Sequence, residues 1–197
     1  FASLNFAPLT LTLGGGMAVQ RDVADRWKKV TGTTLVEAYG LTEASPAVCV
    51  NPMDLKDYNG AIGLPLPSTD VKIIDENETI VKQGDSGELC VKGPQVTQGY
   101  WNKPEETENM FTKDGWLKTG DTAKIDEKGY VYIVGRKKDM ILVSGFNVYP
   151  NEIEDVATQM DEITEAAAIG LPNEKTGEKI KLFVVKGTDT VTEDDIM

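Results

Sequence analysis

The sequence contains no histidine, and this absence excludes several kinds of active site. Without histidine the chain has no Ser–His or Cys–His catalytic pair and no histidine-ligated metal. Its two cysteines, Cys49 and Cys90, form no CxxC motif, and both lie in apolar, strand-like surroundings. We predict that they are buried free thiols, which are typical of a reducing compartment. Because no apolar run approaches the length of a membrane span, we expect a cytoplasmic protein.

Basic residues are also scarce relative to acidic ones. The 197 residues carry 20 Lys+Arg against 32 Asp+Glu, and the net charge of −12 argues against nucleic-acid binding through phosphate attraction. Residues 1–60 have a net charge of −1 (5 basic, 6 acidic), residues 61–138 of −2 (11 and 13) and residues 139–197 of −9 (4 and 13). This uneven distribution predicts a change of structural unit near residue 139.

Hydrophobic periodicity predicts an α/β segment at the start of the chain. Leu9–Leu13 reads as a strand, Gly32 as a helix stop and Thr34–Ala38 as a second strand. The apolar residues that recur at helical spacing before the stop are Val19, Val23, Trp27 and Val30. Residues 51–68 are rich in proline and glycine, so we place a subdomain boundary near residue 60.

The middle of the chain is predicted to be mainly β, with one helix near Pro104–Met110. The predicted strands are Val71–Asp75, Glu88–Lys92, Thr122–Asp126 and Tyr130–Gly135. After the charged stretch 136–139, a strand at Met140–Val143, a glycine loop and a helix with Pro150 in its first turn are expected. This helix would place Ile153, Val156, Ala157 and Met160 on one face, with strands at Ala166–Leu171 and Lys181–Lys186.

Two loops after predicted strands contain residues suited to a flat ligand or to a phosphate with a cation. Glycines such as Gly14-Gly15-Gly16 let a flat ligand approach the backbone, although a plain strand–helix turn explains them as well. Thr42 and Glu43 in the sequence Tyr39-Gly40-Leu41-Thr42-Glu43 place a hydroxyl beside a carboxylate, which can contact a phosphate and a hard cation. The alternative is a turn with solvated side chains.

Two later positions offer groups that fit a sugar or a phosphate. Asp121 ends the stretch Trp116–Asp121 on a glycine turn, and a carboxylate can accept from two neighbouring ribose hydroxyls. Arg136 follows a hairpin, and its guanidinium is a rigid donor for ribose or phosphate oxygens. Taken alone, these residues are better explained as a surface turn and a surface ion pair.

In combination, these motifs resemble the adenylate-forming superfamily, which contains acyl-CoA synthetases, luciferases and the adenylation domains of peptide synthetases. The resemblance covers essentially the whole chain and includes Gly87-Glu88-Leu89, Gly93-Pro94, Gly99-Tyr100-Trp101 and 135–139. The stretch from Lys138 to Glu154 looks most like bacterial long-chain-fatty-acid–CoA ligases. The resemblance implies a mixed α/β (α+β) fragment: the end of a large adenylation domain (1–60), a β-rich, distorted barrel-like subdomain (61–138) and a truncated mobile domain (139–197).

The resemblance also implies an enzyme that uses ATP, Mg²⁺ and CoA to convert a fatty acid into acyl-AMP and then acyl-CoA. Nucleic acid is not an expected partner, whereas peripheral contact with the inner face of the membrane is compatible with a lipid substrate. By resemblance, Gly14–Gly16 and Glu37, Ala38, Tyr39 and Gly40 would line the adenine pocket, with Tyr39 on the base. Thr42 would contact the α-phosphate and Glu43 would hold Mg²⁺; these two are the candidate catalytic residues.

The remaining implied roles concern the sugar, CoA and a hinge. Asp121 would accept from the ribose hydroxyls, and Arg136 would approach the same sugar or the phosphate. Asp139 matches the hinge of the family, and Ser144, Gly145 and Phe146 match the loop that lines its pantetheine tunnel.

Two of the family's functional elements, the phosphate loop and the C-terminal lysine, have no counterpart in the sequence. Leu9–Leu13 already reads as a strand, and residues 192–197 resemble the cap and acidic first turn of a helix. We therefore expect a fragment that does not catalyse adenylation alone. Two alternatives stay open: an adenylation domain that loads a carrier protein, and a non-catalytic nucleotide-binding or interaction module.

Overall fold

The computed structural model describes residues 4–188 together with Thr192 and Asp195. The chain divides into two compact units, Phe1–Ile133 and Val134–Met197. Each unit combines helices with β-sheet, so the predicted mixed α/β class is confirmed. No helix in residues 4–188 has both the length and the apolar character that a membrane crossing requires.

The first sheet is built around a β–α–β crossover. Strand β1 (Thr12–Gly14) leads into helix α1 (Arg21–Thr31), which returns the chain to β2 (Leu35–Gly40) as a parallel neighbour of β1. Strands β3 (Ala47–Val50) and β4 (Leu64–Pro65) extend the sheet antiparallel, in the order β1-β2-β3-β4. The crossover brings the loops after β1 and β2 to the same edge of the sheet.

Helix α1 confirms the predicted helix but not its buried face. The helix ends where Gly32 adopts φ +74° and donates its N–H to the Lys28 carbonyl, as the predicted glycine stop requires. Ala24 and Thr31 are the buried residues, whereas Val23 and Val30 are exposed. Helical spacing of apolar residues therefore located the helix, although Val23 and Val30 are not on its buried side.

The second sheet follows the order β5-β6-β7-β8. Its strands are β5 (Asp70–Ile74), β6 (Gly87–Lys92), β7 (Leu117–Ile125) and β8 (Val131–Arg136), with helix α2 (Pro104–Asn109) between β6 and β7. Strand β7 begins five residues before its predicted start, because it pairs with the full length of β6. Among residues 4–188 the sheets stay open, so the expected barrel-like subdomain is a four-stranded sheet.

The two sheets of the first unit share one hydrophobic core. Ala44, Val48 and Cys49 from the first sheet and its adjoining turn pack with Leu89 and Val131 of the second. All five residues are essentially inaccessible to solvent. This shared core, which also includes Ala123 of β7, fixes the loop after β2 relative to strand β7 although the two are far apart in sequence.

The second unit is an antiparallel sheet with one helix. Its strands are β9 (Ile141–Val143), β10 (Phe146–Val148), β11 (Ile163–Asn173) and β12 (Gly177–Lys186), in the order β10-β9-β12-β11. Helix α3 (Pro150–Ala157) starts with the predicted proline and contacts β11. Strand β10 was not expected, because only three residues lie between the turn at 144–145 and Tyr149, the N-cap of the helix.

The predicted apolar face of α3 is only partly correct. Ala157 is buried, but Val156 is 67% exposed, and Met160 lies beyond the end of the helix. The short helix makes its contact with β11 through few side chains, so a valine one position from Ala157 points away. Of the helix cap expected at 192–197, only Thr192 and Asp195 lie within the described residues; the Thr192 backbone N–H and hydroxyl both donate to Asp195 Oδ2.

Candidate functional site

The glycine turn after β1 has two different reasons to contain glycine. A Cβ on Gly15 would lie 2.7 Å from the Ala38 carbonyl oxygen, so this glycine permits close approach to strand β2. Gly16 has φ +89° and nothing within 4 Å of a Cβ position, so it faces open space. Gly14 closes β1 opposite Glu37. The turn therefore lies against the end of β2, with its open side at Gly16.

The end of β2 places the predicted adenine-pocket residues beside this turn. Glu37 is buried and its carbonyl accepts from the Asn51 backbone N–H, while Ala38 and Tyr39 are half-buried. A Cβ on Gly40 would overlap the Pro46 carbonyl, so only glycine allows the chain to turn back here. These backbone constraints fix where the Tyr39 ring leaves the strand.

Tyr39 and Asp121 meet although 82 residues separate them. The Tyr39 hydroxyl donates to Asp121 Oδ2 at 2.5 Å. Asp121 is only 7% exposed, and its backbone N–H donates to the Thr119 hydroxyl, which itself donates to the Leu89 carbonyl. Gly120, with φ +74°, makes the local turn in β7 that this arrangement needs. The structure thus joins two of the motifs that the sequence analysis treated separately.

Thr42 and Glu43 lie on a single 3₁₀ turn that follows β2. The turn comprises Thr42–Ala44, with Thr42 exposed, Glu43 half-buried and Ala44 in the shared core. The Tyr100 hydroxyl donates to Glu43 Oε1 at 2.5 Å, and the Thr97 backbone N–H donates to the Glu43 carbonyl at 2.7 Å. The hydrogen bond to Glu43 raises the pKa of Tyr100, so the phenol keeps its proton at neutral pH.

The oxygen atoms of Thr42 and Glu43 fit a hard cation that also has water and phosphate ligands. A carboxylate and a neighbouring hydroxyl supply the oxygen ligands that Mg²⁺ prefers. The part of the chain that the structure describes contains no cluster of three or more His, Cys, Asp or Glu side chains able to hold a metal. A cation here would complete its coordination with water and substrate phosphates, which is the usual arrangement for Mg²⁺.

The other predicted site residues belong to the second unit. Arg136 is the exposed last residue of β8, and Asp139 ends an exposed 3₁₀ turn, Lys137–Asp139. Ser144 and Gly145, with φ +52° and +86°, form the tight turn between β9 and β10, and the Ser144 N–H donates to the Thr176 carbonyl. Phe146 follows with an exposed ring. The predicted glycine loop is therefore a hairpin turn.

A groove of about 480 Å³ in the second unit includes Arg136 and Asp139. Two of its carboxylates already have structural roles. Glu154 Oε1 accepts from the Ala168 N–H and Glu178 Oε2 from the Leu142 N–H, so they tie α3 and β12 to the neighbouring strands. The groove contains none of the predicted adenine-pocket residues, and its geometry alone identifies no ligand.

Sequence reasoning missed the contribution of Tyr100. The triplet Gly99-Tyr100-Trp101 was part of the resemblance, but it had no assigned role. The available signal was the glycine before the tyrosine: Gly99 has φ +147°, and a Cβ there would overlap the Thr107 side chain. Such a constrained glycine indicates a loop held in one conformation.

The prediction that both cysteines are buried free thiols is confirmed. Burial raises the pKa of Cys49 to about 12. The pKa of Cys90 is also raised to about 12, first by burial and then by the Glu88 charge. Both thiols therefore stay protonated near neutral pH, and neither is a candidate nucleophile.

Comparisons with known proteins match two stretches of the chain to protein families. Residues 2–101 match the family described as AMP-binding enzyme, and residues 152–197 match the AMP-binding enzyme C-terminal domain. Over all 197 residues the chain is 55% identical to the long-chain-fatty-acid–CoA ligase of Salmonella typhimurium. The chain spans 35% of the length of that relative.

Solved structures show the same arrangement of elements. The ATP-bound crystal structure of MatB from Rhodopseudomonas palustris matches 94% of this chain with a TM-score of 0.88 and 40% identity. The crystal structure of the anthranilate CoA ligase AuaEII in complex with anthranoyl-AMP matches all of it with a TM-score of 0.87 and 27% identity. The matched regions are 37% of the MatB chain and 38% of the AuaEII chain.

Proposed function

Because the chain belongs to the family of AMP-binding enzymes, we propose that it is part of an AMP-forming long-chain-fatty-acid–CoA ligase. In the proposed reaction, a fatty-acid carboxylate oxygen attacks the α-phosphorus of ATP and the bond to pyrophosphate breaks. The CoA thiol, as it loses its proton, then attacks the acyl carbon of acyl-AMP, and AMP leaves. The substrate assignment is supported by the 55% identity to the Salmonella typhimurium ligase.

The observation that carries the proposal is the hydrogen bond from the Tyr39 hydroxyl to Asp121 Oδ2. It connects the residue proposed to stack on adenine with the residue proposed to accept from the ribose hydroxyls. A hydrogen bond to a carboxylate is about twice as strong as one between neutral groups, so an oriented carboxylate is a strong acceptor for sugar hydroxyls. The glycine turn at 14–16, with its open side at Gly16, supplies the adjacent surface for the base.

Thr42 and Glu43 are proposed to act on the phosphates. The Thr42 hydroxyl donates to an α-phosphate oxygen, and Glu43 takes part in binding Mg²⁺. When bound, the cation neutralises charge on the phosphates as pyrophosphate leaves. The fatty-acid carboxylate is itself the nucleophile, so the mechanism needs no histidine and no cysteine thiolate.

The second unit is proposed to serve the CoA step. Asp139 would be the hinge residue, since it ends an exposed 3₁₀ turn that connects β8 to β9. Ser144, Gly145 and Phe146 would line the path of the pantetheine arm, and Arg136 would contact the sugar or a phosphate. These roles are supported by the exposure of all four residues at the surface of the unit.

The test is acid-dependent ATP–pyrophosphate exchange by the full-length protein that contains this sequence. We expect exchange with long-chain fatty acids, a large loss with Asp121→Asn, and little change with Tyr132→Phe, whose hydroxyl donates to Asp126 at 3.2 Å. Exchange with only an aryl or amino acid would contradict the fatty-acid assignment. Transfer of the acyl group to a carrier protein instead of CoA would contradict the assignment of CoA as the acceptor. No exchange with any acid would favour a nucleotide-binding module. We also propose that the 197-residue chain alone catalyses no adenylation, which the same assay tests.

A further inference from the structure

The Glu43 carboxylate lies on a turn that does little to fix its side chain. The 3₁₀ turn has only three residues, and Ser45 immediately after it adopts φ +56°. A half-exposed glutamate has several rotamers of similar energy, and selecting one of them costs conformational entropy. A carboxylate that must meet a ligand in one position therefore needs an additional contact that restricts it.

Tyr100 supplies such a contact. Its hydroxyl donates to Glu43 Oε1 at 2.5 Å, while the Thr97 N–H donates to the Glu43 carbonyl at 2.7 Å. The loop 97–100 thus holds both the backbone and the side chain of Glu43. Since the hydroxyl engages Oε1, it leaves Oε2 for another partner.

Tyr100 itself is held by helix α2. Its backbone N–H donates to the Thr107 hydroxyl at 2.9 Å, and that hydroxyl donates to the Lys103 carbonyl at 2.7 Å. Gly99 packs so tightly against Thr107 that a Cβ would overlap it. The phenol therefore extends from a loop with little freedom, which is what orienting a second side chain requires.

The Tyr100 ring contributes little to the core. The residue is 44% exposed, so its hydroxyl can be removed without opening a buried cavity. From these contacts we propose that Tyr100 is a positioning residue that orients the Glu43 carboxylate toward the divalent cation of a bound nucleotide. This inference rests on the proposed function, because it assumes that Glu43 faces a metal–nucleotide complex.

The test measures cation binding directly in the full-length protein. Mn²⁺, which is visible by electron paramagnetic resonance, is titrated with ATP present and no fatty acid, and ATP affinity is measured separately in EDTA. The variants are Tyr100→Phe, Glu43→Gln and the double variant, with Tyr132→Phe as the matched control, because it also removes a tyrosine hydroxyl that donates to a carboxylate. The double variant shows whether Tyr100 acts through Glu43.

We expect Tyr100→Phe to weaken Mn²⁺ binding about three- to tenfold, less than for a buried hydrogen bond to a charged group, because Tyr100 is 44% exposed and water can replace part of the contact. ATP affinity in EDTA should stay within about twofold, and Tyr100→Phe should add nothing in the Glu43→Gln background. Unchanged or tighter Mn²⁺ binding by Tyr100→Phe would overturn the inference, and so would an equal loss in the Glu43→Gln background. If the wild-type protein shows no nucleotide-dependent Mn²⁺ binding, the proposed function fails as well.

Discussion

Tyr39→Phe is the most informative substitution in the first unit, because it removes one oxygen and leaves the ring. In the wild-type chain that oxygen donates to Asp121 Oδ2 at 2.5 Å, and Asp121 is 7% exposed. A hydrogen bond to a charged group contributes about 1.5–3 kcal/mol. A phenylalanine ring keeps the stacking surface that we propose for adenine, so any loss of nucleotide binding reports on how Asp121 is held.

The structure gives a magnitude for the expected effect on ATP binding. If the whole contribution were lost from nucleotide binding, the KM for ATP would rise by about 10- to 100-fold, since 1.4 kcal/mol corresponds to a factor of ten. Asp121 keeps its backbone N–H contact to Thr119, so the carboxylate is loosened rather than displaced. We therefore expect a rise near the lower end, about tenfold, with a smaller change in kcat.

The assay compares ATP with 2′-deoxy-ATP in pyrophosphate exchange by the full-length protein. If Asp121 accepts from the ribose hydroxyls as proposed, loosening its carboxylate weakens that contact, and Tyr39→Phe should affect ATP more than 2′-deoxy-ATP. The preference of the wild type for ATP should therefore shrink. A tenfold loss that is equal for both nucleotides would refute the reasoning, as would an unchanged KM for ATP.

Three further predictions concern properties that the geometry determines. Cys49 and Cys90 should react with a thiol reagent at pH 8 only when the protein unfolds, because the pKa of each is raised to about 12; rapid reaction of the native protein would contradict this. Hydrogen bonds from Lys72 and then Thr112 lower the Asp114 pKa from 3.8 to about 2. Asp114→Asn should therefore reduce stability to denaturant above pH 3.8, and the difference from wild type should vanish as the pH falls to about 2. Gly15→Ala should weaken nucleotide binding by moving the turn away from Ala38. Calorimetric titration with ATP measures this affinity, and an unchanged affinity would show that the turn does not contribute to binding.

Local signals predicted the elements better than they predicted the faces. The glycine after α1 and the proline at the start of α3 act within one turn, so Gly32 and Pro150 could be read directly from the sequence. Burial depends on which neighbour a face meets. Val23 and Val156 have the right spacing for a core stripe, yet both are exposed. Periodicity shows which residues share a helix face, but it does not show which part of the protein that face packs against.

The candidate site was predictable in composition but not in its connections. Asp121 and Glu43 could be selected as carboxylates on glycine-rich or polar turns. Their contacts with Tyr39 and Tyr100 join positions 82 and 57 residues apart, and such pairings depend on how two sheets share a core. A single sequence contains no signal for a pairing of this kind.

The two carboxylates of the first unit's candidate site have the same kind of hydrogen-bond partner. Asp121 and Glu43 each accept from a tyrosine hydroxyl, whereas Asp114 pairs with the Lys72 ammonium. An ammonium partner compensates the negative charge of a carboxylate, but a phenol restricts its orientation and leaves that charge in place. A carboxylate meant to receive ribose hydroxyls or a cation needs both a fixed position and its full charge. A tyrosine partner alone does not mark a binding position, because Asp126 also accepts from a tyrosine hydroxyl, that of Tyr132 six residues away. The tyrosine partners of Asp121 and Glu43 lie 82 and 57 residues away in sequence, so only the folded unit sets the orientation of these two carboxylates.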